Sequence, residues 1–376
     1  MLLVGKGPPE TGGIPAFLSA LQASALRGAF DLEFLNLSRD APRIGGRVNV
    51  ANFARTATDA VAVARAARRA DVVHIHSALA PGVTLARAGA MALAARAAGA
   101  AVIVHAHGGR IHLWLHTGAR RRLARAVLGA AHQIVAVSQG VGDALAAAGL
   151  GVRVVENGVD VERFRPDAPH APDASDERPV VAFVGILTPR KGLLDLFEAS
   201  TLVASRGIDH RLVVAGGDPD EGGDAAAEVR RHAPDRAEFV GSLSTDDVVA
   251  LLRSADVFCL PSWWEAMPLS VLEAMASGVP VVASSVGDVP RMVPHGECGL
   301  LVPARDPSAL ADALGALLSD ADRRRVMGDA ARRHVTEHYR IEGTVAAIGG
   351  IYEDVLARRR RGRRLVRGRG QAHHGG

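Results

Sequence analysis

Two cysteines in 376 residues, Cys259 and Cys298, are too few for a disulfide framework or a thiolate zinc cluster. Cys259 stands in an apolar Val-Phe-Cys-Leu run, and both thiols are expected to be free and buried. Aromatic residues are scarce too, at 4% against 48% hydrophobic overall, so the cores must be built from Ala, Val and Leu. No run approaches the ~18 apolar residues that cross a bilayer. The opening Leu2-Leu3-Val4-Gly5 has a strand's length rather than a signal peptide's, and the expected location is cytoplasmic.

Acidic residues are missing after Asp354, whereas Arg358, Arg359, Arg360, Arg361, Arg363, Arg364, Arg367 and Arg369 all follow it. Taking those eight charges from the formal net +4 leaves about −4 for residues 1–357. The basicity belongs to a tail. Residues 358–376 are therefore expected to be disordered, and any nucleic-acid binding by them to be salt-sensitive and unspecific.

What is present is alternation. Apolar runs at 2–5, 30–37, 72–76, 101–105, 133–137 and 152–160, separated by helical patterns, predict a doubly wound parallel sheet over residues 1–163. A Pro-rich polar linker is expected over 164–179. A second set of strands (180–184, 211–217, 238–241, 257–260, 279–284 and the turn and strand of 296–303) fills residues 180–338. The length suits two such domains facing each other across a crevice.

Residues 256–285 organise the rest. A strand, Val257 to Leu260, runs into Pro261-Ser262-Trp263-Trp264-Glu265, and a helix is expected from near Pro268, where a missing N–H costs nothing. Leu269, Leu272 and Ala276 then form its apolar stripe, and Glu273 falls inside it. A carboxylate there is costly unless something takes it. Two outcomes are open: a structural arginine caps Glu273, or Glu265 and Glu273 grip sugar and ribose hydroxyls beside a helix N-terminus that faces a phosphate.

Other candidates lie at strand–helix junctions, where open α/β sheets bind ligands. Gly12 and Gly13 precede the first helix. His107 ends the run Val-Ile-Val-His-Ala-His-Gly-Gly, and His105 shares its face. His74 and His76 are expected to be structural, each satisfied by a backbone partner. Gly185 begins Gly-Ile-Leu-Thr-Pro-Arg190-Lys191-Gly, a loop in which Lys191 suits a phosphate. Between residues 111 and 131, Leu123 and Val127 make an i, i+4 ridge flanked by arginines, which fits either a solvated helix or one lying on an anionic membrane, the latter if Trp114 is exposed.

The Glu265-to-Glu273 stretch resembles the E-x7-E signature of retaining GT-B glycosyltransferases, the group 1 or family 4 type, and the resemblance extends over residues 1 to about 355. It implies two Rossmann-like domains, acceptor-binding then donor-binding, with a last helix (339–357) crossing back to the first. It also implies retaining transfer of a sugar from a nucleoside-diphosphate donor to a hydroxyl of a glycan or lipid-linked acceptor, in cell-surface polysaccharide synthesis at the inner face of the membrane. Catalytic roles fall to His107, Lys191 and Glu265. Donor contacts fall to Gly12, Gly13, Gly185, Arg190, Lys191, Met267, Leu269 and Glu273. No cofactor and no metal are expected. Two departures stand out: Ile186 replaces the family's usual Arg, and Ala266-Met267-Pro268 replaces Gly-Phe-Gly. The alternatives are a catalytically weak membrane- or partner-binding relative and a sugar-nucleotide epimerase.

Overall fold

The computed structural model describes residues 1–10, 12–38, 50–79, 82–108, 111–166, 178–218 and 224–372, with backbone alone for residue 112 and residues 362–372. The first domain alternates β1 (Leu2–Gly5), α1 (Gly13–Ala23), α2 (Leu26–Ala29), β2 (Glu33–Asn36), α3 (Val50–Ala67), β3 (Val72–Ser77), α4 (Val83–Ala97) and β4 (Ala101–Ala106). It continues with α5 (Ile111–Trp114), α6 (Gly118–Leu128), β5 (Gln133–Ala136), α7 (Gln139–Ala147) and β6 (Val152–Val154). All six strands are parallel, in the order β2-β1-β3-β4-β5-β6.

The second domain comprises β7 (Val180–Val184), a 3-10 turn (Pro189–Lys191), α8 (Leu193–Ser205), β8 (Arg211–Ala215), α9 (Ala225–Arg231), β9 (Ala237–Gly241) and α10 (Thr245–Ser254). Then come β10 (Val257–Leu260), α11 (Leu269–Ala276), β11 (Val281–Ser284), α12 (Val289–Met292), β12 (Gly299–Val302), α13 (Pro307–Leu318), α14 (Ala321–His338) and the long α15 (Ile341–Ala372). Its strands are also parallel, ordered β12-β11-β10-β7-β8-β9. The order reverses between β1 and β3 in one sheet and between β7 and β10 in the other, so each domain opens a crevice beyond the strand ends there.

Central strands are buried on both faces, which is why they read as continuous apolar runs rather than alternations. Cys259 and Cys298 are free and buried in the second core. Of the two glutamates of the organising stretch, Glu265 precedes α11 and Glu273 lies within it, and the helix has Pro268 as its N-cap rather than inside its first turn.

Two expectations about the chain's divisions need correction. Val159, Val161 and Phe164 pack into the second domain's core, so the first domain ends near Asn157 and not at 163. The apolar residues in that stretch follow the core they can reach, not the sheet they continue. Of the linker expected over 164–179, residues 167–177 lie outside the described residues. The arginine tail is the second correction, since α15 continues through Ala372 as one helix. Arginine is a good helix former, and Arg359 fastens the helix by donating to the Asp71 carboxylate at 3.0 Å, to the Asp71 carbonyl, and to the Gly99 carbonyl at 2.6 Å. His373 to Gly376 lie outside the described residues.

On α6 the core-facing residues are Ala124 and Leu128, while Leu123 of the expected ridge is 51% exposed. Trp114 packs partly buried against the core, with the Arg120 guanidinium 5.8 Å from its ring. The condition set for membrane contact, an exposed Trp114, is not met.

Candidate active site

The two crevices face each other and merge into one cleft of about 2560 Å³. The catalytic and donor-contact candidates named from the sequence all line it: His107, Lys191, Glu265, Gly12, Gly13, Gly185, Arg190, Met267, Leu269 and Glu273. His105 is fully buried and does not reach the cleft, so His107 is the histidine presented to it.

On the second-domain side, Lys191 Nζ lies 2.5 Å from Glu265 Oε1, and Ser262 Oγ donates to the same oxygen at 2.8 Å. Both charged side chains are recessed, 13% and 11% exposed, so the pair is partly shielded from water. The 3-10 turn that carries Lys191 ends in Gly192, which caps α8 without a side-chain bond. Pro268 likewise leaves the first amides of α11 without a side-chain cap. Two helix N-termini thus present unsatisfied N–H groups beside one lysine, an arrangement suited to phosphate oxygens.

Glu273 has no side-chain partner among the described residues, and no arginine caps it. Burial pushes its carboxyl up to about 7. A recessed acid without a partner, facing a cleft, is equipped to take hydrogen bonds from hydroxyls. Arg190 lies with its guanidinium 4.3 Å from the Trp264 ring, and both line the cleft. Trp263 turns away, its indole N–H donating to Asp195 at 2.7 Å.

The stretch in place of Gly-Phe-Gly works as a seam. Asn157 of the first domain donates from Nδ2 to the Met267 carbonyl at 2.8 Å and from its backbone N–H to Met267 Sδ at 3.2 Å. Ala266 and Leu269 pack against first-domain cores. Ile186, in the place of the family's arginine, sits close to Gly12, whose φ of 121° is one that side-chain-bearing residues rarely adopt. A Cβ at Gly12 would lie 3.7 Å from Ile186 Cδ1.

On the first-domain side, His107 Nε2 meets His76 Nδ1 at 3.0 Å, and burial holds His107 near 3. His107 is a neutral imidazole at pH 7, a hydrogen-bonding group rather than a cation. Asp59 and Arg87 form an ion pair at 2.5 Å along the same wall. Sequence reading missed that pair and the part of His76; its only signal was a lone Asp and a lone Arg within Ala-rich helices. His74 and His76 do not have the expected backbone partners, His74 bonding Tyr352 Oη instead at 2.7 Å.

Two Asp-x-Asp triplets occur, Asp218-Pro219-Asp220 and Asp320-Ala321-Asp322. Among the described residues of these triplets none lines the cleft: Asp218 pairs with Arg230 at 2.6 Å and Asp320 caps α14, while Pro219 and Asp220 lie outside the described residues.

Residues 26–163 match the Glycosyltransferase Family 4 description and residues 178–320 match Glycosyl transferases group 1. The chain belongs to this glycosyltransferase family and has its GT-B fold. It is 34% identical over 239 residues to the D-inositol 3-phosphate glycosyltransferase of Corynebacterium glutamicum, covering 60% of this chain and 55% of that protein. It is 36% identical over 207 residues to the GDP-mannose-dependent alpha-(1-6)-phosphatidylinositol monomannoside mannosyltransferase of Mycobacterium tuberculosis, covering 50% and 52%. The chain spans about half the length of these curated relatives. Among solved structures it resembles sucrose-phosphate synthase from Thermosynechococcus elongatus, with a TM-score of 0.77, 20% identity and coverage of 95% and 98%. Anabaena Alr3699/HepE in complex with UDP-glucose gives a TM-score of 0.74, 18% identity and coverage of 94% and 99%. At such identities these two establish the fold alone.

Proposed function

We propose that this glycosyltransferase-family chain moves a sugar from a nucleoside diphosphate to a hydroxyl of a glycan or lipid-linked acceptor, with retention at the anomeric carbon. The observation that carries the reading is the pairing of Lys191 with Glu265 beside two uncapped helix starts, with the unpartnered Glu273 behind them.

In this reading the donor diphosphate lies against Lys191 and the amides of α8 and α11. Glu265 exchanges part of its bond to Lys191 for the sugar's hydroxyls, and Glu273 holds the ribose. His107, neutral, positions the sugar from the opposite wall. Charge grows on the departing diphosphate as the glycosidic bond breaks, so the preorganised cation and amides stabilise the transition state more than the ground state. The departing phosphate oxygen takes the acceptor's proton on the same face, and no carboxylate nucleophile is needed. The named relatives, which act on inositol phosphate and a phosphatidylinositol mannoside, favour an acceptor bearing a polyol. A role in surface polysaccharide synthesis, cytoplasmic or peripheral on the membrane, belongs to the same proposal; no helix among the described residues is long and apolar enough to cross a membrane.

The test is a thermal-shift and hydrolysis screen against UDP-, GDP-, ADP- and dTDP-sugars, with Glu273→Ala in parallel. A shift with one nucleotide, weakened ~10- to 100-fold in the variant by loss of a charge-assisted hydrogen-bond pair, is expected. No shift with any donor would overturn the reading. Turnover is expected to persist in excess EDTA, and complete loss that Mg²⁺ restores would refute metal-independent transfer.

A further inference from the structure

Four histidines from two adjacent strands crowd one face of the first sheet. His74 and His76 stand two apart on β3, His105 stands on β4 with His107 just past its end, and His76 is in register opposite His105. Phe17 of α1 meets His105 and His107 edge-on at centroid distances of 5.3 and 5.0 Å, and Tyr352 of α15 meets His74 edge-on at 5.5 Å. The enclosure is apolar.

Buried polar atoms are nearly always partnered, and here several are not. His74 engages only Nδ1, on Tyr352 Oη at 2.7 Å, and leaves Nε2 bare. His76 engages only Nδ1, on His107 Nε2 at 3.0 Å, and also leaves Nε2 bare. On His105 neither ring nitrogen has a partner. One ring nitrogen from each of His74, His76 and His105 lies within 4.8 Å of the others.

We propose that His74, His76 and His105 form a structural binding site for one divalent transition-metal ion of the zinc, cobalt or nickel class, inside the first domain and apart from the donor site. Bonds of about 2.0–2.1 Å place tetrahedral ligands roughly 3.4 Å apart, so the three rings need only draw together. Imidazole suits these ions and not Mg²⁺ or Ca²⁺, which separates this site from any ion on a donor diphosphate.

Two features fit beyond the ligand count. A ligating histidine characteristically gives its second N–H to an outer partner, which fixes its tautomer. Tyr352 Oη stands in that place for His74 and His107 Nε2 for His76. Burial also keeps all three rings in the neutral form that a metal requires. His76 lines the cleft, which gives the ion a way in. Metal on His76 would fix its Nδ1–H toward His107 Nε2, and so set which nitrogen of His107 carries the hydrogen.

The experiment uses the full chain without an affinity tag and with His373→Ala and His374→Ala, so that the terminal histidines contribute nothing. After chelator treatment it is titrated with Co²⁺ and then with Zn²⁺. One equivalent of Co²⁺ should bind with the visible absorption of a tetrahedral imidazole site, and Zn²⁺ should displace it. His105→Gln should abolish the signal, and Tyr352→Phe should weaken binding about 10- to 100-fold while keeping the fold. His210→Gln, on the other domain, should leave it unchanged. A folded, stripped chain that takes up no stoichiometric Co²⁺ or Zn²⁺ overturns the proposal. So does Tyr352→Phe binding as tightly as the parent, or a signal that survives in a folded His105→Gln.

Discussion

At the first domain's edge the cleft is faced by a neutral histidine, a glycine turn and the Asp59–Arg87 pair, whereas at the second domain's edge it is faced by Lys191, Glu265, Glu273 and Arg190. The two sheets are alike in strand direction and in having a reversal of order beneath the site. Their difference lies in the histidines. Both walls carry charge, the first through Lys6, Glu10, Arg55, Asp59 and Arg87, but only the first adds neutral imidazole rings where its strands end. Sheet topology thus supplies the place, and the loops after the strands supply the chemistry.

The sharpest way to break that contrast is Lys191→Ala, which removes the recessed cation of the second wall and leaves Glu265 recessed without it. kcat is expected to fall ~100- to 1,000-fold, more than donor affinity does, as for loss of a transition-state donor. Steady-state kinetics with donor and acceptor varied separately would show it. Unchanged turnover would shift the phosphate contact to Arg190.

The histidine-bearing wall has its own signature in acid. The unfolded chain protonates these histidines below about 6.5, but burial holds His74 and His107 near 3 and His76 and His105 well below the usual range. Unfolding therefore takes up protons. Stability is intact above about pH 6.5 and is lost as the pH falls toward 3, at up to about 1.4 kcal/mol per pH unit for each ring. Denaturant melts of metal-free protein at pH 7 and pH 5 would measure this, and His105→Gln should flatten the slope. A pH-independent midpoint would mean that the rings are already solvated.

A smaller effect is expected where the walls are tied together. The Asp288 carboxylate of the second domain accepts from the N–H of Gln139 at 2.7 Å and of Gly140 at 3.2 Å, at the start of α7 in the first. Asp288→Ala should cost about 1 kcal/mol, visible as a lower Tm, and should widen the domain angle in solution scattering. A wild-type Tm and scattering profile would show that the tie is dispensable.

Much of this was legible in the chain. The strands were readable because each is a short apolar run closed by glycine, proline or a polar turn, and Glu273 stood out because a carboxylate interrupts an otherwise apolar stripe. Contacts between distant segments were not readable. Nothing within residues 72–76 says that Tyr352 will meet His74, and nothing within 159–164 says which core will take Phe164. The α6 ridge misled for a related reason, since Leu123 and Val127 satisfy a helical period, yet the neighbouring α4 meets the helix along Ala124, Val127 and Leu128. The arginine run was read by composition, while its order comes from the helix it extends and from the bonds of Arg359.

The return of α15 bears on how the chain comes to be folded at all. Val345, Ile348, Ile351, Tyr352 and Val355 complete the cluster around Leu3, Phe17 and Ile103, and the outgoing and returning segments touch where Val159 bridges Arg340 and Thr344 Oγ1 donates to the Glu156 carbonyl at 2.8 Å. Gly158 allows that approach, because a Cβ there would lie 2.7 Å from Ile341 Cα. On the ribosome, residues 1–157 emerge before α15 with one face of their sheet covered only by α1 and α2, and they must wait for about 180 further residues before its cover is completed. The second domain meets no such delay. Of the two domains, the one that is translated earlier is the one that is finished later.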